Sequence, residues 1–174
     1  MYRVAVVVVL STLGLGQSAF AQFTSCNGSA NVGVRVKISN APSTTTSSTF
    51  VALPGASVSV SVAAGATRTL VVSFSGESRL IGNFEPPAGA ANWIELQVLD
   101  NGQAMQPQET ASPLAFASAN LYQSSAATFC GNIKNTTGAV VNHTISVSWR
   151  VSGGATGLTA WLDDWTLRVD KYQP

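Results

Sequence analysis

Charged side chains and metal-binding side chains are scarce in this chain of 174 residues. Lys, Arg, Asp and Glu make up 10% of it, against about 25% in an average domain. One histidine and two cysteines are too few ligands for a zinc site. Because no run of basic residues occurs, nucleic-acid binding and docking on an anionic membrane are both disfavoured. The lack of a Gly-x-Ser-x-Gly turn likewise disfavours a serine hydrolase.

A run of about 20 apolar residues, which a membrane-spanning helix needs, is also missing. The longest apolar run, Val4 to Leu15, follows Arg3 and precedes the small-x-small triplet at 19–21, a pattern typical of a secretory signal peptide. We therefore predict a signal peptide at residues 1–21, one domain at residues 22–174, and export to the periplasm or the extracellular space. The alternative is an uncleaved membrane anchor. Without Arg3, eight basic residues balance eight acidic ones.

The two cysteines, Cys26 and Cys130, are far apart in the sequence. An even number of cysteines in an exported protein predicts a disulfide. Closing a loop of about 100 residues would stabilise the fold by up to about 4.7 kcal/mol in the chain-entropy model. The alternatives are two separate buried thiols, or a nucleophile pair of one cysteine with His143, which an oxidising compartment disfavours.

Alternation of apolar and polar residues is the main structural signal, because side chains in a strand point to opposite faces in turn. The predicted core-facing rows are Val32, Val34, Val36 and Ile38; Val58, Val60 and Val62; Leu70, Val72 and Phe74; Ile94, Leu96 and Val98; Val141, His143, Ile145, Val147, Trp149 and Val151; and Trp165, Leu167 and Val169. The segment 100–102, Asp-Asn-Gly, is the strongest hairpin turn. We predict an all-β fold: a two-sheet antiparallel β-sandwich of about eight to ten strands with jelly-roll topology.

The adjacent carboxylates Asp163 and Asp164 are candidate ligands of a structural calcium ion, which prefers hard oxygen ligands. Neighbouring strand residues point to opposite faces, so both reach one ion only if the strand bulges there. The alternative is that one aspartate caps a turn through backbone amides while the other is solvated. No other cofactor is predicted.

Trp93, Glu95 and Gln97 share one face of a predicted strand. An aromatic ring beside a carboxylate and an amide is a common arrangement in sugar-binding sites. We treat these three residues as a candidate ligand-binding set. The alternative is an ordinary outer sheet face with Trp93 in an edge cluster.

A hydrolase centred on Glu77, Glu95 or Asp100 is a third hypothesis, since a glycosidase needs two carboxylates about 5–9.5 Å apart. The sequence does not fix these distances. Triplets at 27–29, 135–137 and 142–144 match the glycosylation acceptor pattern, which is common by chance in a chain rich in Ser and Thr.

Four segments, VAAGAT (62–67), VVSFSGES (71–78), IELQVLDNG (94–102) and LDDWTL (162–167), resemble segments of a group of uncharacterised secreted bacterial proteins. This resemblance implies a bacterial source and export and carries no activity. The last segment is also similar to the end of galactose-binding-like jelly rolls, found in many carbohydrate-binding modules. In those modules an acidic residue near the last strand helps to hold a calcium ion, a role that Asp163 or Asp164 would take here.

The function we expect is that of a non-catalytic secreted binding module that recognises a glycan or a cell-surface protein. The exposed aromatics and the lack of a coherent catalytic set favour it. The alternative is a structural, homo-oligomeric protein of the cell envelope, and a glycoside hydrolase ranks below both. Nucleic acid and a membrane span are not expected.

Overall fold

The computed structural model describes residues 26–82, 92–107, 115–153 and 157–174. These ranges contain ten β-strands and no helix. The strands are β1 (Ala30–Ser39), β2 (Ser43–Thr45), β3 (Val51–Val62), β4 (Thr67–Ile81), β5 (Trp93–Asp100), β6 (Gln103–Ala104), β7 (Ala115–Ala117), β8 (Gln123–Lys134), β9 (Val141–Ser152) and β10 (Thr159–Gln173). The predicted signal peptide at 1–21 lies outside the described residues.

The strands form two antiparallel sheets, which confirms the predicted all-β sandwich. The first sheet has the order β1-β10-β4-β8, with β2 also paired to β10. The second sheet has the order β3-β9-β5-β6, with β7 also paired to β5. The jelly-roll topology stays a prediction. The last strand, β10, pairs with β1, β2 and β4, all from the first half of the chain.

One hydrophobic core fills the space between the sheets. The predicted rows of β4, β5 and β10 are buried in it, and those of β3 and β9 are buried except at Val58, Val141 and His143, which are partly exposed. Trp149 and Trp165 are its largest fully buried side chains, and the Trp165 ring stacks on Phe74 with 6.1 Å between centroids. Burying one large apolar side chain contributes about 1.5–3 kcal/mol, so these rows supply most of the stabilisation.

The orientation predicted for β1 is wrong. Val34 pairs with Asp170 and Val36 with Arg168, on the outer face of the first sheet, whereas Arg35 pairs with the buried Val169. Directly opposed residues share a face, so the valine row points outward and the basic row points toward the second sheet. Both rows are solvent-exposed. Alternation shows which residues of a strand share a face. In an edge strand whose two faces are both exposed, it does not show which face points toward the core.

A β-bulge interrupts β10 against β4, where the register shifts between Asp163 and Thr166. Asp164 has φ 45°, which confines it to the left-handed region. Gly76 lies beside the bulge on β4, and a Cβ there would come within 3.1 Å of the Trp165 Cβ atom and 3.3 Å of the Asp163 carbonyl oxygen. A glycine therefore lets the two strands stay close where the bulge crowds them.

Two local predictions are confirmed. Asn101 (φ 47°) and Gly102 (φ 85°) both have positive φ angles, as a tight β5–β6 hairpin requires. Cys26 and Cys130 form a disulfide with their Cα atoms 6.2 Å apart. The bond fastens the start of the described chain to β8, and the Thr69 hydroxyl on β4 donates to the Asn27 carbonyl oxygen at 2.8 Å beside it.

Candidate ligand-binding surface

Trp93, Glu95 and Gln97 lie together on the outer face of the second sheet, but their polar groups form hydrogen bonds with other side chains of the same chain. The Glu95 side chain is 1% exposed and receives hydrogen bonds from Trp93 Nε1 and Arg150 Nε. The Arg150 guanidinium in turn lies 4.5 Å from the centre of the Phe50 ring. Gln97 Nε2 donates to the Ser148 hydroxyl at 2.9 Å. This set therefore forms a largely buried polar network, and its role in ligand binding stays a prediction.

The bulge that a shared calcium ion would need is present at Asp163 and Asp164. There the Asp163 Oδ1 atom accepts a hydrogen bond from the backbone N–H of Asp164 at 2.8 Å. Asp164 itself is exposed. Within the described ranges no three His, Cys, Asp or Glu residues are grouped so that they could hold a metal ion. The contacts match the turn-capping alternative, and a calcium site stays a prediction.

The three carboxylates considered for hydrolysis are not brought together. Glu77 lies on the outer face of the first sheet and Glu95 on the outer face of the second. Asp100 lies at the end of β5, where one of its oxygens is 2.8 Å from His143 Nδ1. The paired carboxylates of a glycosidase are therefore not formed by these residues.

Asn135, one of the three glycosylation matches, has a structural role instead. It is 3% exposed, and its amide nitrogen donates to the carbonyl oxygens of Val62, Ala63 and Ala139 at 2.8–3.0 Å. Its Oδ1 atom accepts from the backbone N–H of Thr137 at 2.9 Å. A buried amide with these bonds joins the β3–β4 turn to the β8–β9 turn and is not accessible for glycosylation.

The outer face of the first sheet carries a group that the sequence did not single out: Arg79, Tyr122 and Trp161, which we call the aromatic platform. The Arg79 Cζ atom lies 4.2 Å from the Tyr122 ring centre and 5.6 Å from that of Trp161. The two rings meet edge to face with 5.0 Å between centroids. Tyr122 is 52% exposed and Trp161 is partly exposed. Two rings thus hold one guanidinium at the surface by cation–π contact.

Strand pairing places this platform beside a polar row. Trp161 pairs with Thr44 on β2 and Arg79 on β4, while two residues further along β10, Asp163 pairs with Glu77. Next to the platform lies an open depression of about 250 Å³. It is lined by Ser75, Gly76, Glu77, Ser124, Ser125 and Asp164. Aromatic rings, a fixed cation, hydroxyls and carboxylates therefore lie side by side on one surface.

The backbone geometry explains why the platform forms. Arg79 and Glu77 point the same way because they are two residues apart on β4. Tyr122 directly precedes β8, whose Gln123 pairs with Ser78, so its ring arrives beside Arg79. The Arg79 Nε atom is buried and makes no hydrogen bond with the described residues. The two terminal nitrogens carry the remaining N–H donors of the guanidinium.

Comparison with known protein families found no family model that matches the chain, and comparison with curated proteins found no match. Within the described residues, no helix is long and apolar enough to cross a membrane. The disulfide and the all-β fold are compatible with export.

Proposed function

We propose that this protein is an exported, non-catalytic binding module whose aromatic platform recognises a glycan. The observation that carries the proposal is the exposed cluster of Tyr122, Trp161 and Arg79 beside a depression lined by hydroxyls and carboxylates. The signal-peptide pattern and the disulfide support export to the periplasm or the extracellular space.

The chemistry of the platform suits a sugar. Sugar rings present apolar C–H faces and hydroxyl edges, so a site for them combines aromatic faces with a few fixed polar groups. Tyr122 and Trp161 supply the apolar contact. The Arg79 guanidinium and the carboxylates of Glu77 and Asp164 supply hydrogen-bond donors and acceptors. Because the rings already hold Arg79 in place, little side-chain entropy is lost when a ligand binds.

A flat site of this kind suits a polysaccharide chain better than a small free sugar. The platform and the depression lie side by side along the outer face of the first sheet. Several sugar units could therefore contact the surface at once, which raises affinity without a deep pocket. The cell-surface partner we propose is such a glycan.

A glycan array that displays neutral and uronic-acid oligosaccharides tests this function with three proteins. The wild-type protein should retain a defined set of glycans, and Tyr122→Ala should lose them. Leu121→Ala is the matched control, because Leu121 is the adjacent residue and is 73% exposed. It should bind as the wild type does. Equal urea midpoints for all three proteins would show that the variants are folded.

Two outcomes would contradict the proposal. One is that the wild-type protein retains no glycan on the array. The other is that Tyr122→Ala and Leu121→Ala retain the same glycans with the same intensity, which would place binding away from the platform.

A further inference from the structure

The strand β1 forms an open edge of the first sheet. It pairs with β10 from Ala30 to Ser39, and no described strand pairs with its other side. An unpaired edge presents free backbone N–H and C=O groups to any extended chain that approaches. The strand β1 runs for ten residues, and after a register shift between Asn31 and Gly33 its pairing with β10 is regular from Gly33 to Ser39.

The edge carries two different rows of side chains. The outer row is apolar and exposed: Val34 is 40% exposed, Val36 51% and Ile38 70%. The other row carries the exposed cations Arg35 and Lys37. An extended chain that paired with β1 would meet an apolar row on one face and a basic row on the other.

Lys171, which pairs with Gly33, adds a third cation to the basic row. Lys171 of β10 is partly buried and donates from Nζ to the Ser61 carbonyl oxygen at 3.0 Å. Its pKa is lowered, first by burial and then by repulsion from Arg68 and Arg35. Three of the nine basic residues of the chain, Arg35, Lys37 and Lys171, thus lie on the face of β1 and β10 that points toward the second sheet.

No described carboxylate forms an ion pair with these three cations. Three of the described acids have other partners: Glu95 pairs with Arg150, Asp100 with His143, and Asp170 with Arg168. The remaining three, Glu77, Asp163 and Asp164, lie around the bulge of β10. The edge is therefore locally positive, although the chain without the predicted signal peptide carries no net charge.

We propose that β1 is a docking edge for an extended acidic strand of another protein, in which carboxylates alternate with apolar residues. Backbone hydrogen bonds to the open edge would supply affinity, as in β-strand addition. The apolar residues of the strand would cover Val34, Val36 and Ile38, while its carboxylates would meet Arg35 and Lys37. Charge complementarity selects this partner over others.

A second copy of this chain fits less well. If two β1 strands paired, the cations of one row would face those of the other, and like charges that face each other across a strand pair are destabilising. Inward-pointing charges are one of the devices by which proteins prevent self-pairing at an edge. The same charges attract an acidic strand.

Fluorescence anisotropy with two labelled peptides tests the proposal. One peptide alternates Val with Asp and Glu, and the other alternates Val with Lys at the same positions. The wild-type protein should bind the acidic peptide about tenfold tighter than the basic one, and added salt should weaken this binding. The double variant Arg35→Glu with Lys37→Glu should reverse the preference. Lys134→Glu, which changes an exposed cation at the end of β8, should leave it unchanged.

Three results would overturn the proposal. The first is equal affinity of the wild-type protein for the two peptides, or no binding of either. The second is a dimer of the wild-type protein in light scattering that the double variant abolishes, which would make a second copy the occupant. The third is binding of the protein to phosphatidylglycerol vesicles without binding of the acidic peptide. If the double variant fails to fold, Arg35→Gln with Lys37→Gln should still reduce the peptide preference.

Discussion

The Arg150 guanidinium donates a hydrogen bond to the Glu95 carboxylate on the outer face of the second sheet. The Glu95 side chain is 1% exposed, whereas the Arg150 side chain is 22% exposed. Trp93 donates a further hydrogen bond to the same carboxylate, and Phe50 lies against the guanidinium. A charge as buried as that of Glu95 is tolerated only while its partners remain.

Replacing Arg150 should therefore be strongly destabilising. We expect Arg150→Met to lower the free energy of unfolding by about 3 kcal/mol, because it leaves the Glu95 carboxylate buried without its cation. Urea unfolding followed by tryptophan fluorescence measures the change. Lys134→Met, at an exposed position on β8, should change stability by less than about 0.5 kcal/mol. Equal effects of the two substitutions would contradict this account of the network.

The stability of the protein should depend on pH through Asp170. Hydrogen bonds from Arg168 lower the pKa of Asp170, Asn31 lowers it further, and burial opposes both. In the unfolded chain the pKa of this carboxyl is about 3.9. The ionised form thus stabilises the fold above that pH, and the contribution is lost as the pH falls through the lower native pKa.

A comparison of the wild type with Asp170→Asn isolates that contribution. The difference in unfolding free energy between the two proteins should be largest at pH 6 and smaller at pH 3. Urea titrations at the two pH values provide the measurement. A difference that stays constant between pH 6 and pH 3 would show that the Asp170 carboxylate does not stabilise the fold through its charge.

The disulfide should contribute a large part of the stability. Cys26 and Cys130 are 104 residues apart in sequence, so the bond restricts much of the unfolded chain. We expect the double variant Cys26→Ala with Cys130→Ala to lose about 2–5 kcal/mol. Thermal unfolding with and without a reductant checks this. The reductant should lower the melting temperature of the wild type and leave that of the double variant unchanged; a wild type that does not respond would contradict the prediction.

The buried amide of Asn135 should matter more than an exposed asparagine nearby. Asn135→Ala removes donors to three carbonyl oxygens and should cost about 1–3 kcal/mol. Asn142→Ala is the control, since Asn142 is exposed and its side chain accepts one hydrogen bond within the described residues, from the Ser61 hydroxyl. Its effect should be a few tenths of a kcal/mol, measured by urea unfolding. A larger effect at Asn142 would contradict the role given to the Asn135 amide.

Much of the fold could be predicted because its main signals are local. Alternation in β4, β5 and β10 identified rows that are buried, and the Asn101–Gly102 pair identified the hairpin. The side on which β1 presents its valines could not be predicted, because it depends on the pairing of Val34 with Asp170. That pairing joins residues at opposite ends of the chain, so the local pattern of apolar and polar residues does not reveal it.

The candidate site was missed for a similar reason. Arg79, Tyr122 and Trp161 lie on three segments far apart in sequence and meet only when β4 pairs with β8 and β10. Each residue taken alone resembles an ordinary surface residue. Trp93 and Glu95 do lie together on one face, as predicted. Alternation does not reveal that Arg150 bonds to the Glu95 carboxylate or that Phe50 packs on Arg150.

Fluorine NMR of the protein labelled with 5-fluorotryptophan tests the central claim most directly. The chain has four tryptophans, of which Trp149 and Trp165 are buried in the core while Trp161 and Trp93 lie on opposite outer faces. Substitution of each tryptophan by phenylalanine assigns the four signals. On titration with the array's neutral and uronic-acid oligosaccharides, we predict that the Trp161 signal shifts and the Trp93 signal does not. A shift of the Trp93 signal alone, or no shift of any signal at millimolar oligosaccharide, would contradict glycan recognition by the aromatic platform.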